Sequence, residues 1–244
     1  MPHLYGLPAE IDKIKKICKK KKIKIIEDTA EAIGLEYKGK MCGSYGDLST
    51  FSFYANKHIT TGEGGMICTD NKSYYDKCRY LRNLCFNNQR RFKHYDIGYN
   101  ARFTNIQSAL GLAQLEQINK FIKKKISIGE FYNKKIKANK SFVKPILEKN
   151  ETKNIYWVYG LLIKNKKLKL EKVRDLFKKN GIETRNFFWP LHLQPILNKM
   201  GYFKNQKFKN AEYLGKKGFY IPSGLGLKIN QQRIIVKFIN KFFD

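Results

Sequence analysis

The spacing of apolar residues changes several times along the chain, and each change predicts an element. Ile11, Ile14, Ile17 and Cys18 recur at helical spacing with lysines on the other face, and Pro8 stands where a first helical turn tolerates a missing N–H. An apolar run at 23–26 reads as a short strand ending in the polar residues Glu27, Asp28 and Thr29. Residues 37–45 read as a hairpin-like loop with turn points at Gly39, Gly43 and, just beyond, Gly46. Strands follow at 47–54 and 65–69, then a helix at 71–84 capped by Thr69 or Asp70. Residues 85–102 lack periodicity and carry Arg90, Arg91, Lys93, His94 and Arg102, which predicts a long basic loop. A helix at 103–121, capped by Thr104 or Asn105, turns Ile106, Ala109, Leu110, Ala113 and Leu115 toward a core.

Beyond this point the texture changes. Residues 123–140 stay helical with a strongly basic face, and 142–154 read as a loop around Pro145. Strand and helix patterns then alternate: a strand at 155–163, helices at 170–180 and 208–218, mixed helix at 190–200 and a last amphipathic helix at 231–243. The whole reads as α/β, with a first domain over 1–125 and a smaller second domain over 126–244.

Two stretches concentrate candidate chemistry. The run Phe-Ser-Phe-Tyr-Ala-Asn-Lys at 51–57 carries an aromatic strand pattern directly into Lys57, and Thr60, Thr61 and the glycines 62, 64 and 65 follow. A lysine between an apolar strand and a glycine turn is rigid and partly desolvated, which suits a Schiff-base amine; it also reads as an ordinary strand-loop lysine. At the end of the earlier strand, Glu27 and Asp28 point to opposite faces, so one faces a ligand crevice and the other serves structure. Asp28 reads equally as a ligand group or as a helix cap.

Composition narrows the partners. The chain has 244 residues and 49 Lys+Arg against 20 Asp+Glu, a formal charge of +29. The lysines are spread over the whole length alongside abundant Ile, Asn, Tyr and Phe, a pattern of AT-rich coding more than of a nucleic-acid face, and no nucleic-acid motif accompanies them. Five cysteines without a Cys-x-x-Cys pair argue for reduced thiols in a cytosolic protein, against a disulfide frame or a zinc site. His3 and His94 have no ligand set in sequence, and no metal is expected. The N-terminus has no apolar signal core and no uncharged run approaches the ~18 residues that span a bilayer.

Five ordered motifs resemble one family. They are His-Leu-Tyr-Gly at 3–6, Ile-Glu-Asp-Thr-Ala-Glu-Ala-Ile-Gly at 26–34, residues 51–65, Gly-Tyr-Asn-Ala-Arg at 98–102 followed by Thr-Asn-Ile-Gln, and Gly-Ile-Glu-Thr-Arg at 181–185 running on to Pro195. Together they resemble the DegT/DnrJ/EryC1/StrS sugar aminotransferases, which use pyridoxal 5′-phosphate on the fold-type I scaffold. The Phe-Phe-Trp-Pro-Leu-His run at 187–192 is most similar to the perosamine synthase branch, which aminates a GDP-linked 4-keto-6-deoxy sugar.

The resemblance implies a fold-type I transferase: part of a cofactor-binding large domain with a mixed or parallel sheet, then a small α+β domain. It implies that Lys57 forms the cofactor bond and shuttles the proton, that Asp28 pairs with the pyridine nitrogen, and that Ser52 donates to the cofactor phosphate. Asn100 matches a residue that reaches the cofactor phosphate of a neighbouring subunit, which implies a homodimer with shared sites. Glu31 falls near the cofactor, and Arg102, Arg185 and His192 are candidate contacts to the nucleotide sugar or to L-glutamate. His58 departs from the residue usual after the lysine, yet the lysine itself is intact.

The resemblance also implies a further N-terminal stretch of roughly a hundred residues. The main phosphate-binding turn and a ring-stacking aromatic residue belong there, and neither is found in this sequence. The alternatives are therefore an active nucleotide-sugar aminotransferase of surface polysaccharide synthesis, a catalytically incomplete fragment of one, and, on charge alone, a basic nucleic-acid-binding module.

Overall fold

The lysine-backed isoleucine face forms α1 (Ile11–Lys21), which stops where Lys22 turns left-handed (φ +55°) and donates its N–H to Lys19 O. The chain continues through β1 (Ile26–Asp28), a hairpin of β2 (Glu36–Tyr37) and β3 (Lys40–Met41), β4 (Leu48–Ser52), β5 (Gly65–Cys68), α2 (Lys72–Arg82), α3 (Asn105–Leu115) and α4 (Ile118–Lys135). There follow β6 (Phe142–Val143), the hairpin β7 (Glu148–Lys149) and β8 (Thr152–Lys153), β9 (Tyr159–Ile163), α5 (Leu170–Lys179) and β10 (Arg185–Asn186). A short 3-10 turn at Leu191–Leu193 leads to α6 (Pro195–Lys199), α7 (Lys209–Lys217), β11 (Gly218–Ile221) and α8 (Ile229–Phe242). This computed structural model describes residues 1–138, 140–149 and 152–243.

The chain folds as two units. The first joins Met1–Lys123 to Glu148–Trp157; the second joins Lys124–Leu147 to Val158–Asp244. Residues 148–157, counted by sequence with the second domain, therefore sit with the first unit, and the strand expected over 155–163 forms only from Tyr159.

In the first unit, β4 lies between β1 and β5, parallel to β1 and antiparallel to β5. Ile11, Ala32, Leu35, Tyr37, Cys42 and Ile155 form one core cluster, and Ile33, Phe53 and Ile59 form another with Phe103, Ile118 and Phe121. In the second unit the sheet β10-β11-β9-β6 is antiparallel throughout, and Phe142, Phe177, Phe219, Phe238 and Phe243 meet ring to ring. No described helix is long and apolar enough to cross a membrane.

The expected opposition of Glu27 and Asp28 holds: Glu27 is buried and its neighbours on β1 are exposed. Glu27 is the hub of the N-terminal half. Its carboxylate accepts backbone N–H bonds from Gly43, Tyr45 (2.9 Å) and Gly46 (2.9 Å), which fold the loop between β3 and β4 around it. His3 Nε2–H donates to the same carboxylate at 3.0 Å, while His3 Nδ1 accepts the Ala9 N–H at 3.0 Å. Those partners fix a neutral imidazole protonated on Nε2. Cys42 joins His3 and Glu27 in a buried group of three metal-type ligands, which the sequence spacing conceals. Both carboxylate oxygens and both His3 nitrogens already bond within the fold, and burial pushes the Cys42 thiol up to about 12, so the cluster is built as a hydrogen-bonded brace.

Two expectations change. Asn71, not Thr69 or Asp70, caps α2 by accepting the Tyr74 N–H; Thr69 is taken by Asp47 O and the Asn71 N–H. The apolar positions of α3 do not face a core: Ile106 is 76% exposed, and Ala109, Leu110, Ala113 and Leu115 are exposed as well. Its amide side chains make the contact instead. Gln107 Nε2 donates to Glu63 O at 3.0 Å, and Gln114 Nε2 donates to Thr60 O at 2.7 Å while its Oε1 accepts the Thr60 N–H. Three directional bonds to the turn after Lys57 thus set the rotation of α3 about its own axis. Its Thr104 cap is as expected, reinforced by Gln107 in a capping box.

Burial alone would raise the Glu27 pKa, but His3 and the N–H groups of Gly43, Tyr45 and Gly46 together hold it below its ordinary value of 4.5. Stability from this group is therefore present above about pH 4.5 and lost as pH falls through the folded-state value. Glu27→Gln, which sets an amide N–H2 against backbone donors, is expected to lose about 2–4 kcal/mol of unfolding free energy at neutral pH in urea titrations. The difference from wild type should shrink as pH falls below 4.5 and Glu27 itself takes up a proton; a constant difference would refute the role given to the carboxylate.

Candidate active site

Strand β4 delivers Phe53 to a loop that closes on itself. Phe53 N donates to Gly64 O (2.9 Å), Thr61 N to Phe53 O (2.9 Å), and the Thr60 hydroxyl to Phe53 O (3.0 Å). Gly64 sits at φ +146°, and a Cβ there would lie 2.4 Å from the Phe103 ring, so only glycine lets the loop return so close. Within the loop, Lys57 N donates to Tyr54 O at 3.0 Å, and its side chain is half-buried.

Asp28 ends β1 beside this loop: its register partner on β4 is Thr50, two residues before Ser52. Asp28 is exposed and its Oδ1 accepts the Ala30 N–H at 3.1 Å in a turn, so no helix is capped there. Ser52 is half-buried at the end of β4 and its hydroxyl accepts the Tyr54 N–H at 3.3 Å. Glu31 is buried and accepts the Tyr5 N–H at 2.8 Å. Burial drives Glu31 up to about 7 against the pull of Tyr5 N–H and Lys57, with Asp28 adding to the rise. Burial lowers Lys57 below the ordinary 10.5, and Glu31 and then Asp28 oppose that fall. An amine and two carboxylates therefore share one electrostatic environment at the C-terminal ends of β1 and β4.

Sequence spacing gives no sign of a fourth member. The indole of Trp157, a hundred residues away, lies under Lys57 with Nζ 4.3 Å from the ring centroid. Trp157 Nε1–H donates to Asn56 O at 3.2 Å, and Tyr5 stacks on the indole at 6.1 Å with 24° between planes. Gly6 brings the segment in: at φ +93°, a Cβ on it would meet Asn154 Oδ1 at 2.5 Å and Tyr156 N at 2.7 Å. The signal for Tyr5 and Gly6 was present in the Leu-Tyr-Gly motif; the signal for Trp157 was not.

Asn100 is exposed, its backbone bridged to Asn83, and its Oδ1 accepts Arg102 Nε–H at 2.9 Å. In the second unit, Arg185 is exposed on β10, opposite Tyr220. His192 is buried there, 3.2 Å from Glu212 Oε1 and edge-on to Phe208. His58 is buried beside Lys57 in sequence.

The sequence profile of the DegT/DnrJ/EryC1/StrS aminotransferase family matches residues 1–240. The chain belongs to that family. It is 41% identical over 242 residues to the GDP-perosamine synthase of Escherichia coli O157:H7, covering 99% of this chain and 64% of the relative. It is 34% identical to the GDP-perosamine synthase of Vibrio cholerae, covering 99% of this chain and 65% of the relative. Among solved structures, Helicobacter pylori PseC, an aminotransferase involved in pseudoaminic acid biosynthesis, superposes with a TM-score of 0.91 at 27% identity, covering 99% of this chain and 65% of that one. The chain thus spans about two thirds of the length of these relatives. Family members depend on pyridoxal 5′-phosphate. The donor set here fits that group: a partly desolvated amine for its aldehyde, a strand-end carboxylate for its ring nitrogen and a hydroxyl for its phosphate.

Because Glu31 binds its proton more tightly in the fold than in the unfolded chain, folding is penalised as pH rises from about 4.5 through about 7. Glu31→Gln keeps an acceptor for the Tyr5 N–H and removes the penalty. The variant should match wild type near pH 4.5 and exceed it by about 1–2 kcal/mol near pH 8.5 in denaturant titrations. Equal stability at both pH values would show that folding leaves the Glu31 pKa unshifted.

Proposed function

We propose that this chain acts as a pyridoxal 5′-phosphate-dependent nucleotide-sugar aminotransferase, moving the amino group of L-glutamate onto a GDP-linked 4-keto-6-deoxy sugar for surface polysaccharide synthesis. The observation that carries this reading is the placement of Lys57 on a pinned loop, half-buried, with Asp28 and Glu31 acting on its charge. The 41% and 34% identity to GDP-perosamine synthases supports the proposed substrate class.

When bound, the cofactor supplies an electrophilic aldehyde and an electron-withdrawing ring. Lys57 Nζ supplies the amine that bonds it and afterwards carries the proton to and from the reacting carbon. Burial favours the neutral amine that both tasks need. The Asp28 carboxylate, at the strand end, would keep the proton on the ring nitrogen. Glu31, pushed up to about 7 by burial and within electrostatic reach of Lys57, has a proton to share near neutral pH. The Ser52 hydroxyl would donate to the phosphate and Asn100 would reach the phosphate of a second copy, giving a cytoplasmic homodimer with shared sites, while Arg102 is a candidate contact to the nucleotide sugar or to L-glutamate. Arg185, exposed on β10, and His192, buried beside Glu212, are the candidate substrate contacts of the second unit.

Incubation with the cofactor, borohydride reduction and peptide mass spectrometry should place one cofactor mass on Lys57 and none on Lys57→Ala. With GDP-4-keto-6-deoxymannose and L-glutamate, wild type should form the amino sugar, and Lys57→Ala should be slower by at least about a thousandfold. Cofactor mass distributed evenly over surface lysines would overturn the assignment.

A further inference from the structure

A partly buried ammonium near two carboxylates would be expected to close an ion pair with one of them. Lys57 does not: among the described residues, no nitrogen–oxygen contact within 4.0 Å joins it to Glu31 or Asp28, although both act on its charge. Nζ rests instead 4.3 Å from the centroid of the Trp157 indole, inside the range of a cation–π contact.

The indole is built in for that position. Its Nε1–H donates to Asn56 O, the carbonyl one residue before Lys57, so ring and amine are registered to the same loop. Tyr5 stacks on it at 24°, and the Tyr5 N–H is at the same time the donor that holds Glu31. One dipeptide, Tyr5-Gly6, therefore places the carboxylate through its backbone and the indole through its ring and through the close approach at Gly6.

We propose that Trp157 is a positioning residue for Lys57, its indole face holding the ammonium clear of Glu31 and Asp28 until the amine is needed. The distinction from an ion pair is chemical. A carboxylate would take directional N–H bonds from Nζ and stabilise the cation strongly, leaving little free amine. A π face stabilises the cation weakly and takes no directional bond, so Nζ can lose its proton and swing off without breaking a hydrogen bond. This assignment rests on the reading of Lys57 as the reacting amine.

The test uses the cofactor-free chain and reads protonation rather than turnover. With Trp189→Phe, Trp157 is the sole tryptophan of the sequence. Biosynthetic 5-fluorotryptophan then gives one fluorine resonance at position 157. That resonance is expected to follow a single transition below pH 10.5, the ordinary lysine value, and to lose the transition in Lys57→Met. More heavily fluorinated tryptophan weakens the π face with little change of shape. It should move the Lys57 midpoint, read by peptide-level amine labelling, toward acid by about half a pH unit to one unit. Trp157→Phe, which keeps a ring, should lie between wild type and Trp157→Leu. A fluorine resonance indifferent to Lys57→Met, or a Lys57 midpoint unmoved by fluorination, would reduce Trp157 to packing. Both readouts are indifferent to whether Lys57 bonds the cofactor, so a failed cofactor adduct with intact titrations would refute the functional reading alone.

Discussion

An ammonium taken half out of water loses hydration that something nearby has to replace, and that constraint organises the first unit of this protein. At Lys57 the replacement comes from three directions: Glu31, Asp28 and the Trp157 indole. None of the three is close enough or strong enough to fix the amine as a permanent cation. The outcome is a lysine that gives up its proton more readily than an exposed one, which suits the amine nucleophile and proton carrier proposed above.

Much of the surrounding structure keeps those groups where they are. Glu27 gathers the His3 imidazole and three backbone N–H groups from the loop after β3, which ties the chain start to β1. The same start carries Tyr5 and Gly6, and through them Glu31 and the 154–157 segment. On the other side, Gln107 and Gln114 of α3 clamp the turn that closes the Lys57 loop. The buried carboxylate thus braces the chain start and the β3–β4 loop, and the pair of glutamines braces the Lys57 loop.

Local patterns carried most of the elements. Helical spacing at 11–18 and the cap at Thr104 involve neighbours in sequence, and each forms where its pattern stands; the strand expected over 47–54 forms as Leu48–Ser52 and stops before Phe53 and Tyr54. The alternation that puts Glu27 inside and Asp28 outside is likewise a two-residue rule. What could not be read locally was pairing across distance. Trp157 reaches Lys57 only because residues 148–157 return to the first unit, and no spacing near either residue encodes that return. His3, Glu27 and Cys42 converge for the same reason. The apolar positions of α3 misled because periodicity identifies an apolar face without saying which side the rest of the chain occupies; amide bonds to the Thr60–Glu63 turn decided it.

The state of one amine among the chain's many lysines is decisive. Competitive labelling of the cofactor-free protein with a trace amine reagent across pH, resolved peptide by peptide, measures each lysine's titration in the same sample. Lys57 is expected to titrate below 10.5 and to lead the surface lysines in reaction at neutral pH. A Lys57 that titrates with the surface lysines, or later than they do, would contradict a loosely held proton at this site.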